Sequence, residues 1–194
     1  MGEITGPRPH AFVDTNVIAR LRGLLLGNDP ESVPQARSLQ QLLSGNGKRW
    51  TLVRGDTVIK EVRHAPVDPS AEMKKQIAKA LSILKGWPLL RQSDGEMGGH
   101  AGMRVGCPYR RLREWMAREE GHLAVHPRDT KLLADAFENR MDCILSFDKK
   151  LKVAWGRLRR DHEDTVRELV REAGVSYWDV EVLSPADFVA QHDA

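Results

Sequence analysis

The sequence predicts an α/β fold: a three-layer α/β/α sandwich in which helices cover both faces of a central, mainly parallel sheet. Short apolar runs alternate along the chain with longer segments whose apolar residues recur at helical spacing. Two of these runs end directly on an acid. With 194 residues, of which 41% are hydrophobic and 29% charged, the chain suits one folded domain over residues 1–194.

The first part of the chain predicts two strands and four helices. The apolar runs place strands at residues 10–13 and 50–53. Thr15 is a candidate cap for the first helix. Apolar spacing and breaker residues predict helices at 15–23, 30–43, 57–65 and 70–84. The last of these carries an apolar stripe suited to packing against the rest of the domain.

Between residues 86 and 106 the periodicity fails. This stretch contains five closely spaced glycines, Gly95, Gly98, Gly99, Gly102 and Gly106, and such a composition is typical of a loop. A short basic helix is predicted next, at 109–119. We interpret residues 67–121, approximately, as a helical, glycine-rich insertion into the domain.

The remaining segments resume the alternation of strands and helices. Strands are predicted at 123–125, at 143–147 before Asp148, and at 180–183, with helices at 128–140 and 161–173. A terminal helix begins after Ser184, a favourable N-cap, with Pro185 at its first position.

The composition argues against membrane, secretory and disulfide-rich classes. No apolar run approaches the roughly 20 residues of a spanning helix, and the N-terminus lacks the pattern of a signal peptide. A cytoplasmic location is therefore expected. Cys107 and Cys143 are the only cysteines and lie in no metal-ligand pattern, so we expect two reduced thiols.

Four acids occupy positions that can meet at one edge of the predicted sheet. Asp14 and Asp148 directly follow apolar strands, and ligands of parallel sheets bind beyond the carboxyl ends of the strands. Glu61 lies in a mainly apolar helix, and Asp129 lies in the first turn of the helix before 143–147. Each also has a purely structural interpretation: a helix cap for Asp14 or Asp148, a solvated helix residue for Glu61, and an ordinary first-turn acid for Asp129.

Clustered carboxylates repel one another and require compensation. Carboxylate-rich, all-oxygen sites suit Mg²⁺ or Mn²⁺, which retain waters that a substrate phosphate can displace. The four acids therefore predict a divalent-metal site that acts on a phosphodiester.

Two segments resemble PIN-domain ribonucleases. "FVDTNVI" resembles the opening strand of that family, and "RDTKLLADAFENRMDCILSFDKKL" resembles its acidic helix, strand and final Asp. In this resemblance Glu61, Asp129 and Asp148 take the second, third and fourth acidic positions, and Ser146 stands where Thr or Ser is common. The closing "VEVLSPADF" also resembles the family's last strand and helix. The resemblance covers residues 10–66 and 122–190, and it implies a PIN-like sandwich.

The resemblance implies a Mg²⁺- or Mn²⁺-dependent endoribonuclease that leaves a 5′-phosphate and a 3′-hydroxyl. The implied metal ligands are Asp14, Asp129 and Asp148, with Glu61 positioning the metal or the attacking water. Hydrogen bonds from Thr15, Asn16 and Ser146 are expected to steady the carboxylates. Asp135, on the same helix as Asp129, is an alternative third acid.

The expected partners follow from charge and from the resemblance. Arginine and lysine clusters that could hold single-stranded or structured RNA occur at Arg110, Arg111, Arg113, Lys149 and Lys150. The alternative is that these clusters are solvated helix faces. Short members of the family include toxins of the virulence-associated protein C type, so an antitoxin protein and a second copy of the chain are further candidate partners.

Two other function classes compete with the nuclease. A PIN-like module could bind RNA or protein without catalysis, although four suitable acids are present. An aspartate-based phosphatase would use Asp14 as nucleophile, but the haloacid-dehalogenase type needs a second Asp where this chain has Asn16.

Overall fold

The computed structural model of the protein describes residues 8–25, 31, 33, 35–55, 70–89, 114–115, 127–172, 174 and 176–193. In this part of the chain, four strands form one parallel sheet: β1 (His10–Val13), β2 (Thr51–Arg54), β3 (Cys143–Leu145) and β4 (Glu181–Leu183). Their order is β2-β1-β3-β4, and every neighbouring pair is parallel. The two central strands, β1 and β3, are therefore about 130 residues apart in sequence but adjacent in space.

Seven helices accompany the sheet in the same residues. They are α1 (Thr15–Leu25), α2 (Ala36–Gly45), α3 (Ala71–Lys85), α4 (Pro127–Glu138), α5 (Lys149–Asp161), α6 (Glu163–Glu172) and α7 (Pro185–His192). Among the described residues, no helix has both the length and the apolar character needed to cross a membrane.

Alternate residues of each strand enter two different cores. Ala11 and Val13 face one core, whereas Phe12 between them faces the other. The first core also receives buried residues of α1, α2, α3 and α7, and the second receives those of α4, α5 and α6. Both sheet faces are therefore covered, which explains why the strands read as continuous apolar runs. The predicted α/β class and parallel sheet are confirmed, and the two cores are compatible with a three-layer sandwich.

Several predicted boundaries agree closely with the structure. The strand at residues 10–13 is confirmed, and those at 50–53 and 180–183 are confirmed to within one residue. The terminal helix α7 has the predicted cap, because Ser184 Oγ accepts from the Asp187 amide at 3.1 Å. The Asp187 carboxylate accepts in return from the Ser184 amide at 3.4 Å, which completes a capping box. Thr15 is the first residue of α1 and not its cap.

Helix α5 is the main element that sequence analysis does not assign. Its apolar residues Leu151, Ala154, Trp155 and Leu158 recur at helical spacing and are all buried. The six cations among them indicate a charged surface, and Gly156 lowers helix propensity, so the segment was interpreted only as a basic cluster. The helix predicted at 161–173 corresponds to α6, which begins two residues later.

The first part of the predicted insertion contributes to the first core, which also contains residues of α1, α2 and α7. Ala80 and Leu84 of α3 are fully buried in the same cluster as Val17 and Leu21 of α1. The predicted helix at 57–65, strand at 123–125 and most of the stretch at 90–121, including the glycine loop, lie outside the described residues.

Candidate active site

The candidate site lies at the carboxyl edge of the two central strands. β1 ends at Val13 and β3 at Leu145, which are partners in the sheet register. The Asp14 amide donates to the Leu145 carbonyl at 3.0 Å, so the pairing continues one residue beyond the strand. Asp14 and Ser146 consequently follow neighbouring strands at the same edge. The strand end at Asp14 is as predicted, whereas β3 ends at Leu145 and not directly before Asp148.

The carboxylate of Asp14 is buried and accepts four hydrogen bonds. Only 6% of the residue is exposed. Its Oδ1 accepts from the Thr15 amide at 2.6 Å and from Thr15 Oγ1 at 3.3 Å. Its Oδ2 accepts from Asn16 Nδ2 at 2.6 Å and from Ser146 Oγ at 2.7 Å. Thr15, Asn16 and Ser146, which are expected to steady the carboxylates, therefore all donate to Asp14. Of the two carboxylate oxygens, Oδ1 has the weaker hydrogen-bond donors.

Asn16 and Ser146 form a saturated network around Asp14. Asn16 Nδ2 donates to both Asp14 and Ser146 Oγ, the latter at 2.9 Å, and its Oδ1 accepts from the Phe147 amide at 3.0 Å. These contacts define which end of the amide is oxygen. Ser146 Oγ donates to Asp14 and accepts from Asn16 and the Asp148 amide. Because all hydroxyl and amide positions are used, the network holds Asp14 in one orientation.

Asp148 is both an edge acid and the N-cap of α5. Its Oδ1 accepts from the amides of Lys150 at 2.7 Å and Leu151 at 3.2 Å, which confirms the interpretation as a cap. Its own amide donates to Ser146 Oγ at 3.0 Å. One serine hydroxyl therefore links the Asp14 carboxylate to the backbone of Asp148. The capping role is compatible with a site role, because only one carboxylate oxygen makes the capping bonds.

Burial raises the pKa of the Asp14 carboxyl above its ordinary value of 3.8. Hydrogen bonds from Ser146 and Thr15 act in the opposite direction, and the charge of Asp148 adds to the rise. The upward direction means that the ionised form of Asp14 is disfavoured by its surroundings. A bound cation would supply the missing compensation.

Asp14 is expected to make the fold less stable as the pH rises. Its raised folded-state pKa means that the native protein binds this proton more tightly than the unfolded chain does. Stability from Asp14 is fully present below about pH 3.8, the unfolded value, and is lost as the pH rises through the folded pKa. Urea-unfolding midpoints measured in EDTA should show this decline in the wild type relative to Asp14→Asn. Parallel pH profiles of the two proteins would contradict it.

Of the remaining candidate acids, Asp129 and Asp135 lie on helix α4. Asp129 is half-buried in the first turn of α4. Because α4 leads into the parallel strand β3, that turn lies towards the carboxyl edge. Asp135 is 3% exposed and lies six residues further along α4, about 9 Å from that end of the helix. This placement favours Asp129 over Asp135 as an edge acid. Glu61 lies outside the described residues.

The other expected site features are only partly within the described residues. There, no group of three His, Cys, Asp or Glu side chains is arranged to hold a metal ion. Lys149 and Lys150 are exposed in the first turn of α5. Arg110, Arg111 and Arg113 fall in a segment that is not described.

Two residues that sequence analysis did not single out support the edge. The Arg20 guanidinium of α1 stacks 4.0 Å from the centre of the Phe147 ring. Phe147 also donates its amide to Asn16, so this contact supports the turn between Ser146 and Asp148. The helical position of Arg20 relative to Asn16 was visible in the sequence, but its aromatic partner 127 residues away was not.

Asp142 belongs to the opposite edge of the sheet. Its Oδ2 accepts from the His10 amide at 2.7 Å, and its own amide donates to the His10 carbonyl at 3.0 Å. These bonds tie the start of β3 to the start of β1. Asp142 therefore has a structural role at the edge opposite to the candidate site.

Comparisons of the chain with protein-family models, with curated proteins and with solved structures found no match.

Replacing Ser146 with Ala should damage both stability and function. Without Oγ, Asp14 loses a donor, and Asn16 Nδ2 and the Asp148 amide lose an acceptor. A buried group left without its partner costs about 1–3 kcal/mol, so the free energy of unfolding should fall by that amount. If Asp14 binds a metal ion, activity that depends on that ion should fall about 10–100-fold, the range for residues that orient a metal ligand. Ser146→Thr retains the hydroxyl. It should therefore keep more stability in urea unfolding, and more activity in a cleavage assay, than Ser146→Ala does. Equal losses in the two variants would refute the role assigned to the hydroxyl.

Proposed function

We propose that this chain is a Mg²⁺- or Mn²⁺-dependent endoribonuclease. The observation that supports it most directly is the buried Asp14 carboxylate, held by Thr15, Asn16 and Ser146. Ser146 follows the neighbouring strand β3 and also accepts from the amide of Asp148, the N-cap of α5. A structural cap does not need such a network, whereas a carboxylate that must present one oxygen to a cation does. The resemblance of the same segments to PIN-domain ribonucleases supports this choice of chemistry.

The residues present fit a divalent cation. Asp14 has a raised pKa through burial, and its Oδ1 has only one strong protein donor, the Thr15 amide. Thr15 Oγ1, at 3.3 Å, can rotate away to make room for another ligand. The proposed ligands are Asp14, Asp148 and Asp129, with Glu61 assisting. When bound, a divalent cation lowers the pKa of a coordinated water and screens the charge that develops on a phosphate.

In the proposed reaction the protein groups act mainly by orientation. Ser146 and Asn16 fix Oδ2 of Asp14, which leaves Oδ1 to face the site. Asp148 keeps its position because α5 begins on it. Holding both acids rigidly avoids reorganisation during the reaction, and water attacks the phosphodiester in line with the leaving 3′-oxygen.

The proposal includes a setting for this activity. RNA is the substrate, with Lys149, Lys150, Arg110, Arg111 and Arg113 as candidate contacts, and the location is cytoplasmic. An antitoxin protein and a second copy of the chain are proposed partners, on the resemblance to the toxin members of the family. The supporting observation in the chain itself is the acid-free basic segment that follows Asp148.

A cleavage assay on labelled RNA tests the proposed activity. The protein should cleave RNA with Mn²⁺ or Mg²⁺ and stop when EDTA is added in excess. The product ends should be a 5′-phosphate and a 3′-hydroxyl. A 2′,3′-cyclic phosphate would show that the RNA's own hydroxyl is the nucleophile, and cleavage that persists in EDTA would reject the metal requirement.

A further inference from the structure

Helix α5 presents a basic face whose only acid, Asp161, is the last residue of the helix. The stretch Lys149–Arg160 contains six cations and no acidic residue. Two of these cations bind acids outside the helix, Lys152 with Asp187 at 2.8 Å and Arg159 with Asp179, and a third, Arg160, binds Asp161 of α5 itself at 2.8 Å. The ion pairs among the described residues include none formed by Lys149, Lys150 or Arg157, all of which are exposed. The hydrogen bond from Arg160 is the main cause that lowers the pKa of the Asp161 carboxyl, and the charge of Arg157, which forms no ion pair with Asp161, adds a smaller effect.

The neighbouring helix α6 shows what an ordinary solvated charged face looks like in this protein. Its arginines pair with acids of the same helix, Arg167 with Glu163 and Arg171 with Glu168, at i,i+4 and i,i+3 spacing. Such pairing makes a face electrically balanced without any partner. In α5 a single acid, Asp161, stands against six cations, so the helix carries a net positive charge.

The same face contains an exposed apolar residue and a glycine that the fold does not require. At about 100° per residue, Lys149, Val153, Gly156 and Arg160 lie close together on the wheel, and Lys150 and Arg157 lie beside them. Val153 is 52% exposed. Gly156 is helical, and a Cβ there would meet nothing within 4 Å. Glycine weakens a helix relative to alanine, so its presence at this position needs another reason. The close approach of another molecule to the helix backbone is such a reason.

Together these features form a shallow strip along α5, flanked by cations, that begins at the candidate site. Asp148 caps the helix, so Lys149 and Lys150 directly adjoin the acidic edge and Arg157 lies about 12 Å further along. We infer that the strip of Lys149, Lys150, Val153, Gly156 and Arg157 is a track for the sugar-phosphate backbone of single-stranded RNA leading into the site. The inference rests on the proposed function for the identity of this polyanion.

Charge favours RNA over the other possible occupants. A second copy that docked through the same face would bring two sets of unpaired cations together, which is repulsive. A phosphate backbone neutralises all three cations and gains counterion release for each. The missing side chain at Gly156 would let the phosphates approach the helix, and Val153 would contact a ribose.

Binding measured without cleavage tests the track. The full-length chain in EDTA is titrated against a labelled single-stranded RNA by fluorescence anisotropy, across about 50–200 mM salt. The triple variant Lys149→Ala/Lys150→Ala/Arg157→Ala should bind at least about tenfold more weakly at the lowest salt. Its plot of log affinity against log salt should be shallower by about 2, because each lost contact to a single strand removes about 0.7.

A matched control removes the same charge from the opposite helical layer. Lys74→Ala/Lys75→Ala/Lys79→Ala on α3 replaces three exposed lysines and should leave the salt dependence unchanged. Gly156→Gln provides a second variant, since it should raise the melting temperature through better helix propensity while it weakens RNA binding. Equal effects of the two triple variants, or an unchanged salt dependence in the α5 variant, would overturn the inference.

The outcomes separate this inference from the proposed function. RNA binding that depends on α5 without any Mn²⁺-dependent cleavage would support the track and reject the nuclease. Cleavage that is insensitive to the α5 substitutions would reject the track and retain the nuclease. If sedimentation instead revealed a dimer that Gly156→Gln dissociates while RNA binding is unchanged, the face would be assigned to a second copy and the inference would fail.

Discussion

Asp14→Asn is expected to lower Mn²⁺-dependent RNA cleavage by more than about 100-fold, beyond the range for residues that only orient a ligand. The amide removes the negative charge and replaces one carboxylate oxygen with a donor. That donor would face either Thr15 or the Asn16 and Ser146 pair, all of which donate to the present carboxylate. The variant therefore removes the proposed ligand while it preserves the size of the side chain. Initial rates on labelled RNA provide the measurement.

Thermal stability gives a second readout for the same variant. If Asp14 binds Mn²⁺, saturating metal should raise the melting temperature of the wild type by mass action but not that of Asp14→Asn. Asp164→Asn, an exposed acid in the first turn of α6, is the matched control and should retain both cleavage and the metal-dependent shift. Cleavage by Asp14→Asn at a rate near that of the wild type would remove Asp14 from the mechanism.

Gly45→Ala is expected to destabilise the protein by about 2–3 kcal/mol, the upper part of the range for overpacking. A Cβ at this position would enter the Trp50 indole, with Cη2 only 2.6 Å away. Trp50 cannot easily yield, because it is fully buried and its Nε1 donates to the Leu42 carbonyl at 2.9 Å. The indole also packs edge-on against Phe188, with 5.2 Å between ring centres. Urea unfolding measures the change.

Gly156→Ala, in contrast to Gly45→Ala, should stabilise the protein. There a new Cβ meets no atom within 4 Å, and alanine favours the helix by about 0.5–1 kcal/mol. The two variants make the same chemical change in two helices, so a difference in sign isolates the effect of Trp50. If Gly45→Ala were as stable as Gly156→Ala, the packing between α2 and Trp50 described here would be wrong.

The strands were predictable because both faces of the sheet are buried. In a strand such as β1, Ala11 and Val13 enter one core and Phe12 enters the other. The strand therefore has no polar face and appears in the sequence as a continuous apolar run. The cap of α7 was equally visible, because Ser184 and Asp187 carry it within four residues. Both features are determined by a few neighbouring residues, so the sequence alone is sufficient to predict them.

The geometry of the site could be predicted only in part. The sequence assigns Asp14 to a strand end and Ser146 to a later strand, but the bond between them spans 132 residues and depends on the order of β1 and β3. Asp148 has the sequence context of both a cap and an edge acid, and coordinates were needed to identify the capping oxygen. α5 is not predicted because its many basic residues indicate a charged surface, although its apolar residues recur at regular helical spacing.

The pairing of β1 with β3 also constrains how the chain can fold during synthesis. Ala11 can pair with Cys143 only after Cys143 has left the ribosome, which delays the pairing by on the order of ten seconds at ordinary elongation rates. Until then the buried edge of β1 has no partner on that side, and the carboxylate after it lacks the serine that holds it. Nascent chains shorter than about 146 residues should therefore be open to proteases and devoid of the assembled site.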